Sequence, residues 1–279
     1  MKPKRILTRL ALGAVPPIII LAVWYVASVG SVVVPSIGSV LEVLAHPFRE
    51  PPALDATSLA ASAAVSVLRV VCGFGLAAVT AVPVGIWVGR SRTAMEMLSP
   101  TMSAAMVISP IAWIPVAIIA FGLTSPATAL FGEEAWRYGL LDRVRFAIVA
   151  VIWLGAFFPI ALNAAAGARG VRETHIEAAR VLGAGRRQVL TKIILPGAAP
   201  AIMTGLRVGG GIAWRVIIAA EIFPGTRSGL GYMIATAHEQ ASYQYAFASI
   251  IVIGAIGLGL DGVLRLAARR VSRWQPKER

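Results

Sequence analysis

The sequence is poor in cysteine, in histidine and in acidic residues, and each shortage closes a class of function. One cysteine among 279 residues, Cys72, sits inside an apolar run, so neither a disulfide framework nor a thiolate metal site is available. The three histidines, His46, His175 and His238, fall in three separate loops without the spacing of a metal site. No Gly-x4-Gly-Lys-Ser/Thr sequence occurs, so ATP must be handled by another chain. Gly257-Leu-Gly-Leu-Asp-Gly262 spells a dinucleotide fingerprint, but no strand precedes it and it lies in an apolar run. No nucleophile and base arrangement can be assembled, and an enzyme is not expected.

What the chain has in quantity is apolar surface. Hydrophobic residues make up 57% and charged ones only 14%, with a mean hydropathy of +0.77. That is too apolar for a soluble domain and long enough for several membrane spans. A net charge of +13 would suggest nucleic acid in a soluble protein. Here the cations flank apolar runs, so they are read as topology signals and no nucleic-acid partner is expected. Lys2, Lys4, Arg5 and Arg9 precede an uncharged interval, 10–41, of 32 residues. That is too long for the core of a signal peptide and fits an uncleaved first span.

A span needs about 20 apolar residues at roughly 1.5 Å each. Six stretches satisfy this, near 15–34, 64–88, 101–123, 146–166, 200–222 and 243–266, within a single transmembrane domain over 1–279. With the N-terminus inside, the cytoplasmic segments hold 18 of the 26 Lys and Arg residues, against 5 outside and 3 (Arg69, Arg207, Arg215) within spans. The asymmetry fixes the orientation, with both termini cytoplasmic. Between the first two spans, the piece from Ile37 to Phe48 is amphipathic and suited to a membrane surface.

The longest polar, cation-rich interval is 169–196. Thr174 followed by Glu177 predicts a capping box and a short helix starting near His175, ended by Gly183 and Gly185. A second short helix is expected from Arg186 to Ile194, before Pro196 starts the next element. Charge alone allows this to be only a basic loop that sets topology. The spacing says more: Glu177-Ala178-Ala179, three residues, Gly183, nine residues, Ile193, one residue, Leu195-Pro196. In this Glu-Ala-Ala-x3-Gly-x9-Ile-x-Leu-Pro pattern the chain resembles the permease subunits of binding-protein-dependent ABC importers.

The resemblance implies an all-α integral membrane protein of the type I ABC importer permease fold, six transmembrane helices with a cytoplasmic coupling-helix loop. Glu177, Ala178, Ala179, Leu182, Gly183, Arg186, Ile193, Leu195 and Pro196 would form the part that docks on an ATPase. The partners it implies are a second copy of the permease, two ATPase subunits that carry ATP and Mg, and an external or periplasmic substrate-binding protein. The chain itself would bind no cofactor and would sit in a bacterial inner membrane. Ser66-Val67-Leu68-Arg69-Val70 through Gly89-Arg90-Ser91, the segment from Pro110 to Pro115, and Gly229 to Tyr232 are similar to the nitrate, sulfonate, taurine and bicarbonate group of these permeases. That group implies a small solute, an organic or inorganic anion.

The third span contains Pro110, Trp113 and Pro115, and two prolines break its hydrogen-bond ladder. A discontinuous helix at midplane suits a substrate path, and a kink for packing is the plainer alternative. The fifth span carries Gly205 and Gly209-Gly210-Gly211, which suit a close helix interface, then Trp214, Arg215 and Glu221. A cation in lipid needs protein or water to face, so Arg215 is a path candidate, with Trp214 and Glu221 beside it. Arg207 is near enough to the inner face to snorkel. It shares a face with Glu221 but stands about 21 Å from it, too far to pair. Residues 124–145, with Glu133, Glu134, Trp136, Arg137, Asp142 and Arg143, make a longer outer loop than the resemblance implies. A self-contained secondary transporter or channel is the competing reading, and it would need intramembrane ion-coupling residues, for which only Glu221 and the boundary residue Asp261 qualify.

Overall fold

The computed structural model describes residues 3–31, 33–52, 54–122, 124–131, 143–223 and 226–271, with side chains from residue 15 onward except 127, 130 and 131. Every regular element among them is helical. In chain order these are α1 (Pro3–Gly30), α2 (Ile37–Ala45), α3 (Leu59–Arg90), α4 (Arg92–Val107), a 3-10 turn at Pro110–Trp113, α5 (Ile114–Phe121), α6 (Pro126–Phe131) and α7 (Phe146–Arg169). Then follow α8 (Glu173–Val181), α9 (Arg186–Val189), a π turn at Leu190–Ile194, α10 (Leu195–Ile222), α11 (Leu230–Glu239) and α12 (Tyr243–Val271).

Four of these helices are long and apolar enough to cross a membrane: Leu59–Arg90, Phe146–Arg169, Arg186–Ile222 and Tyr243–Val271. Arg92–Val107 with Pro110–Phe121 makes a fifth if the bent pair counts as one span. The described apolar part of α1, Val15–Gly30, is shorter than that standard. The third stretch therefore differs from expectation. The chain bends by 90° at Ile108 and Ser109, because Pro110 and Pro115 cannot donate the amide bonds that would carry a helix through. The expected connection from Gly89 to Pro100 also shrinks to one residue. Ser91 ends α3 and caps α4, its hydroxyl accepting from the Ala94 amide at 3.3 Å.

The core is the packing of α3, α7 and α10, and small residues decide how close they come. A Cβ on Gly73 would lie 2.6 Å from Ile152 Cβ, and at Gly85 and Gly89 it would fall on the carbonyls of Ala161 and Ala165. The rising order of these pairs makes α3 and α7 parallel and in backbone contact. A Cβ on Gly205 would be 2.7 Å from Asn163 Cβ, and one on Gly209 2.9 Å from Ile160 Cγ1, so α10 runs antiparallel to α7. Backbones approach this closely only where side chains are absent, and between helices in lipid such packing is a main source of attraction. Ile152, Ala156, Ile160, Ala161 and Ile217 are fully enclosed at the centre.

Candidate coupling surface and translocation path

The interval 169–196 folds as a hairpin tip between α7 and α10. Ile176 on α8 is buried against Ile86, Ala164, Ala168, Val189, Ile194 and Ala198, which seats the short helix on the ends of α3, α7 and α10. Arg90, the last residue of α3, donates to Glu173 at 2.9 Å and ties the start of α8 to the same end. The capping box expected from Thr174 and Glu177 does not form: α8 starts two residues earlier, at Glu173, with Arg172 as N-cap and no side-chain cap bond. Thr174 is then inside the helix and Glu177 lies on its exposed side.

The end of α8 is sharply built. The Ala184 amide donates to the Ala179 carbonyl at 2.9 Å and the Gly183 amide to the Arg180 carbonyl at 2.9 Å, with Gly183 at φ +82°. This is a Schellman stop, and glycine supplies its left-handed residue. It leaves Val181 and Leu182 each 87% exposed at the tip, with Ala178, Gly183 and Arg186 exposed beside them and Ala179 half-buried.

Beyond Gly185 the expected break at Pro196 is absent. Helix continues from Arg186 to Ile222 over 37 residues. The Leu195 amide donates to the Leu190 carbonyl, five residues back, forming the π turn. A proline in a regular helix collides with the carbonyl four residues before it, and one wider turn makes room for Pro196. Ile193 is half-buried on the hairpin, whereas Leu195 and Pro196 lie at the surface.

The residues expected along a path divide. Trp113, Pro115 and Arg215 are at the surface of the bundle. Pro110 is half-buried, and the space beside Gly155 is shared by Pro110 and Ile212, so the break in the α4–α5 pair lies against α10 one turn from Arg215. Arg215 donates through Nε to the Gly211 carbonyl at 3.2 Å, and Gly211 has open space where a Cβ would be. Trp214, by contrast, is buried: its Nε1 donates to the Ile253 carbonyl of α12 at 3.1 Å, and its ring fills the gap left by Gly257. Arg207 does not simply snorkel, since its Nε donates to Asp261 of α12 at 2.6 Å, and Arg265 shares the same carboxylate.

Glu221 also leaves the path set. It is fully buried and paired with Arg69, whose Nη1 donates to Oε1 at 2.7 Å. Ser66 donates to the same carboxylate at 2.8 Å and the Gly231 amide at 3.0 Å. Arg69 further donates through Nε to the Arg143 carbonyl at 2.7 Å, and through Nη1 and Nη2 to the carbonyl and hydroxyl of Ser228 at 2.8 and 3.1 Å. The charge inventory puts Arg69 and Glu221 each within a span, and a buried cation and anion on different spans are the signal for such a pair. Their separation of 152 residues in sequence hides it. Of the expected outer loop 124–145, α6 and the turn from Arg143 are described, while Glu133, Glu134, Trp136, Arg137 and Asp142 lie outside the described residues.

Comparison with known proteins fits this arrangement. The family described as binding-protein-dependent transport system inner membrane component matches residues 81–273. A Methanocaldococcus jannaschii protein named as an ABC transporter permease is 36% identical over 262 residues, 93% of this chain and 90% of its own. The bicarbonate transport system permease protein CmpB of Synechococcus elongatus is 35% identical over 83% of this chain and 76% of its own. The taurine transport system permease protein TauC of Escherichia coli is 36% identical over 76% of this chain and 69% of its own.

Proposed function

The chain belongs to the family of binding-protein-dependent transport system inner membrane components, and from that membership we propose how it takes part in ATP-driven import. Two copies would assemble with two ATPase subunits, which bind ATP and Mg, and with an external binding protein that delivers the solute. The tip formed by α8 would face the cytosol and dock on the ATPase, with both termini on that side of an inner membrane. The first apolar helix would complete a set of six spans around a shared path.

One observation carries the coupling role: two wholly exposed apolar side chains, Val181 and Leu182, stand on a tip rigidly stopped at Gly183 and helically continuous with a membrane span. Exposed apolar groups at a fixed tip suit a cleft in a protein partner. The continuous helix would pass a push on the tip into the bundle. The solute class rests on Arg215 beside the broken α4–α5 pair, an exposed cation within a span that suits a small anion. Relatives named for bicarbonate and for taurine support the same class. The competing secondary transporter would need Glu221 free for ion coupling, and Arg69, Ser66 and Gly231 engage it.

Glu177→Lys tests the coupling role. The variant is expected to insert in the membrane normally but to retain little of the ATPase subunit on co-purification. Full retention with normal transport would remove the tip from the docking surface.

A further inference from the structure

The Arg69–Glu221 cluster joins parts of the molecule that no single helix connects. Glu221 lies one residue before the end of α10, and residues 226–229, ahead of α11, are not helical. That stretch is bound back to α3 by directional bonds. Arg69 holds the Ser228 carbonyl and hydroxyl, and Ser66 accepts from the Leu230 amide at 2.9 Å while donating to Glu221. Gly229 has φ +112°, and the Glu221 carboxylate occupies the space where its Cβ would be. Gly231 likewise abuts Glu221 and the Ile218 carbonyl. Thr226 donates to the Glu221 carbonyl at 2.8 Å. The guanidinium also grips the Arg143 carbonyl, next to the start of α7.

Stability alone does not require such a cluster, because a buried ion pair is often replaced by apolar residues of similar volume without loss. Its distinctive property is placement. It sits at one end of the 37-residue helix whose other end emerges from the α8 tip, about 55 Å away at the ordinary helical rise. A turn or tilt of that helix must therefore carry residues 226–231 with it, or break several buried bonds at once. Interior groups bound in one arrangement shift between discrete states and do not yield gradually.

We propose that Arg69 and Glu221 are a positioning pair for transport: they lock residues 226–229 and the start of α11 to the far end of the 37-residue helix that rises from the tip, so that docking of the binding protein there changes the set of the tip. This rests on the functional reading above, which makes that end external. The pair touches no solute; it acts by holding backbone.

The test uses the complete complex in lipid nanodiscs, with ATP hydrolysis measured alone and with saturating solute-loaded binding protein. Three variants are compared: S66A, which removes three bonds of the cluster; R69K, which keeps the charge and loses the fork; and R69M/E221M, which replaces the pair by apolar groups. Each is expected to assemble and to keep its unstimulated rate, while stimulation by the binding protein falls about tenfold, an ordinary size for coupling between sites. A purely structural role predicts that stimulated and unstimulated rates fall together with the amount of assembled complex, and that result overturns the proposal. If R69M/E221M does not fold, S66A and R69K decide it by the same ratio. A wild-type complex indifferent to the binding protein overturns the functional reading and this inference together, whereas normal stimulation in wild type and variants overturns the inference alone.

Discussion

At Gly183 the backbone is turned to φ +82°, yet a Cβ there would meet nothing within 4 Å. The requirement for glycine is conformational and not steric, which separates two substitutions. Gly183→Ala is expected to cost about 1 kcal/mol, the ordinary penalty for a side chain in the left-handed region. Gly183→Asn should cost less, since asparagine tolerates that region. Hydrogen exchange at the Gly183 and Ala184 amides would measure this as opening roughly fivefold faster in the alanine variant. Equal rates in the two variants would contradict it. The glycine of the motif was legible in the sequence, and so was its task as a helix stop. The cap at the other end of α8 was not. Thr174 and Glu177 have the spacing of a capping box, but burial of Ile176 and the bond from Arg90 to Glu173 set the register of the helix instead. Local chemistry offered one start and tertiary contacts chose another. Arg69 was hidden for a related reason: spacing along a helix relates residues a few turns apart, and it says nothing about a partner on another span.

Among whole elements, α3 and α7 meet backbone to backbone, and two glycines on one helix separate steric need from mere composition. A Cβ on Gly85 would fall on the Ala161 carbonyl, whereas one on Gly75 would enter open space. Gly85→Val is therefore expected to force α3 away from α7. It should lower the thermal stability of the purified protein by at least the 1–3 kcal/mol typical of overpacking, roughly, because backbone yields less than a side chain. Gly75→Val should leave the unfolding midpoint near that of the parent, and a comparable drop in both would argue against backbone contact as the cause. Apolar length and proline position made the long helices and the break at Pro110 readable in advance. The size of that break, 90°, and the passage of helix through Pro196 were not, since a proline marks where the ladder is interrupted and neighbours decide between a bend and a wider turn.

For the molecule as a whole, uneven charge and uneven burial carry the argument. Only 11% of the apolar window of α12 is buried within this chain, against 50% for α7. An assembly that covers α12 and encloses the broken α4–α5 pair would put Arg215 in a confined space between subunits. Arg215→Ala is then expected to cut uptake of a small anion while leaving the complex intact, with Arg215→Lys recovering part of it. Counterflow in proteoliposomes measures this, and unchanged uptake by Arg215→Ala would place the cation outside the path. The family and the all-α architecture could be read from the motif and the hydropathy. The pairing of Arg69 with Glu221 could not, because it exists only once α3 and α10 are brought together.

The joint at Ser91 bears on how such a chain can vary over time. With a single residue between α3 and α4, there is no slack to absorb a change in length. Loss or gain of one residue there would rotate everything that follows in α4 by about 100° about its axis. The break ahead, with Pro110 half-buried and Pro115 at the surface, would then point elsewhere. Deletions and insertions at this corner should thus be purged.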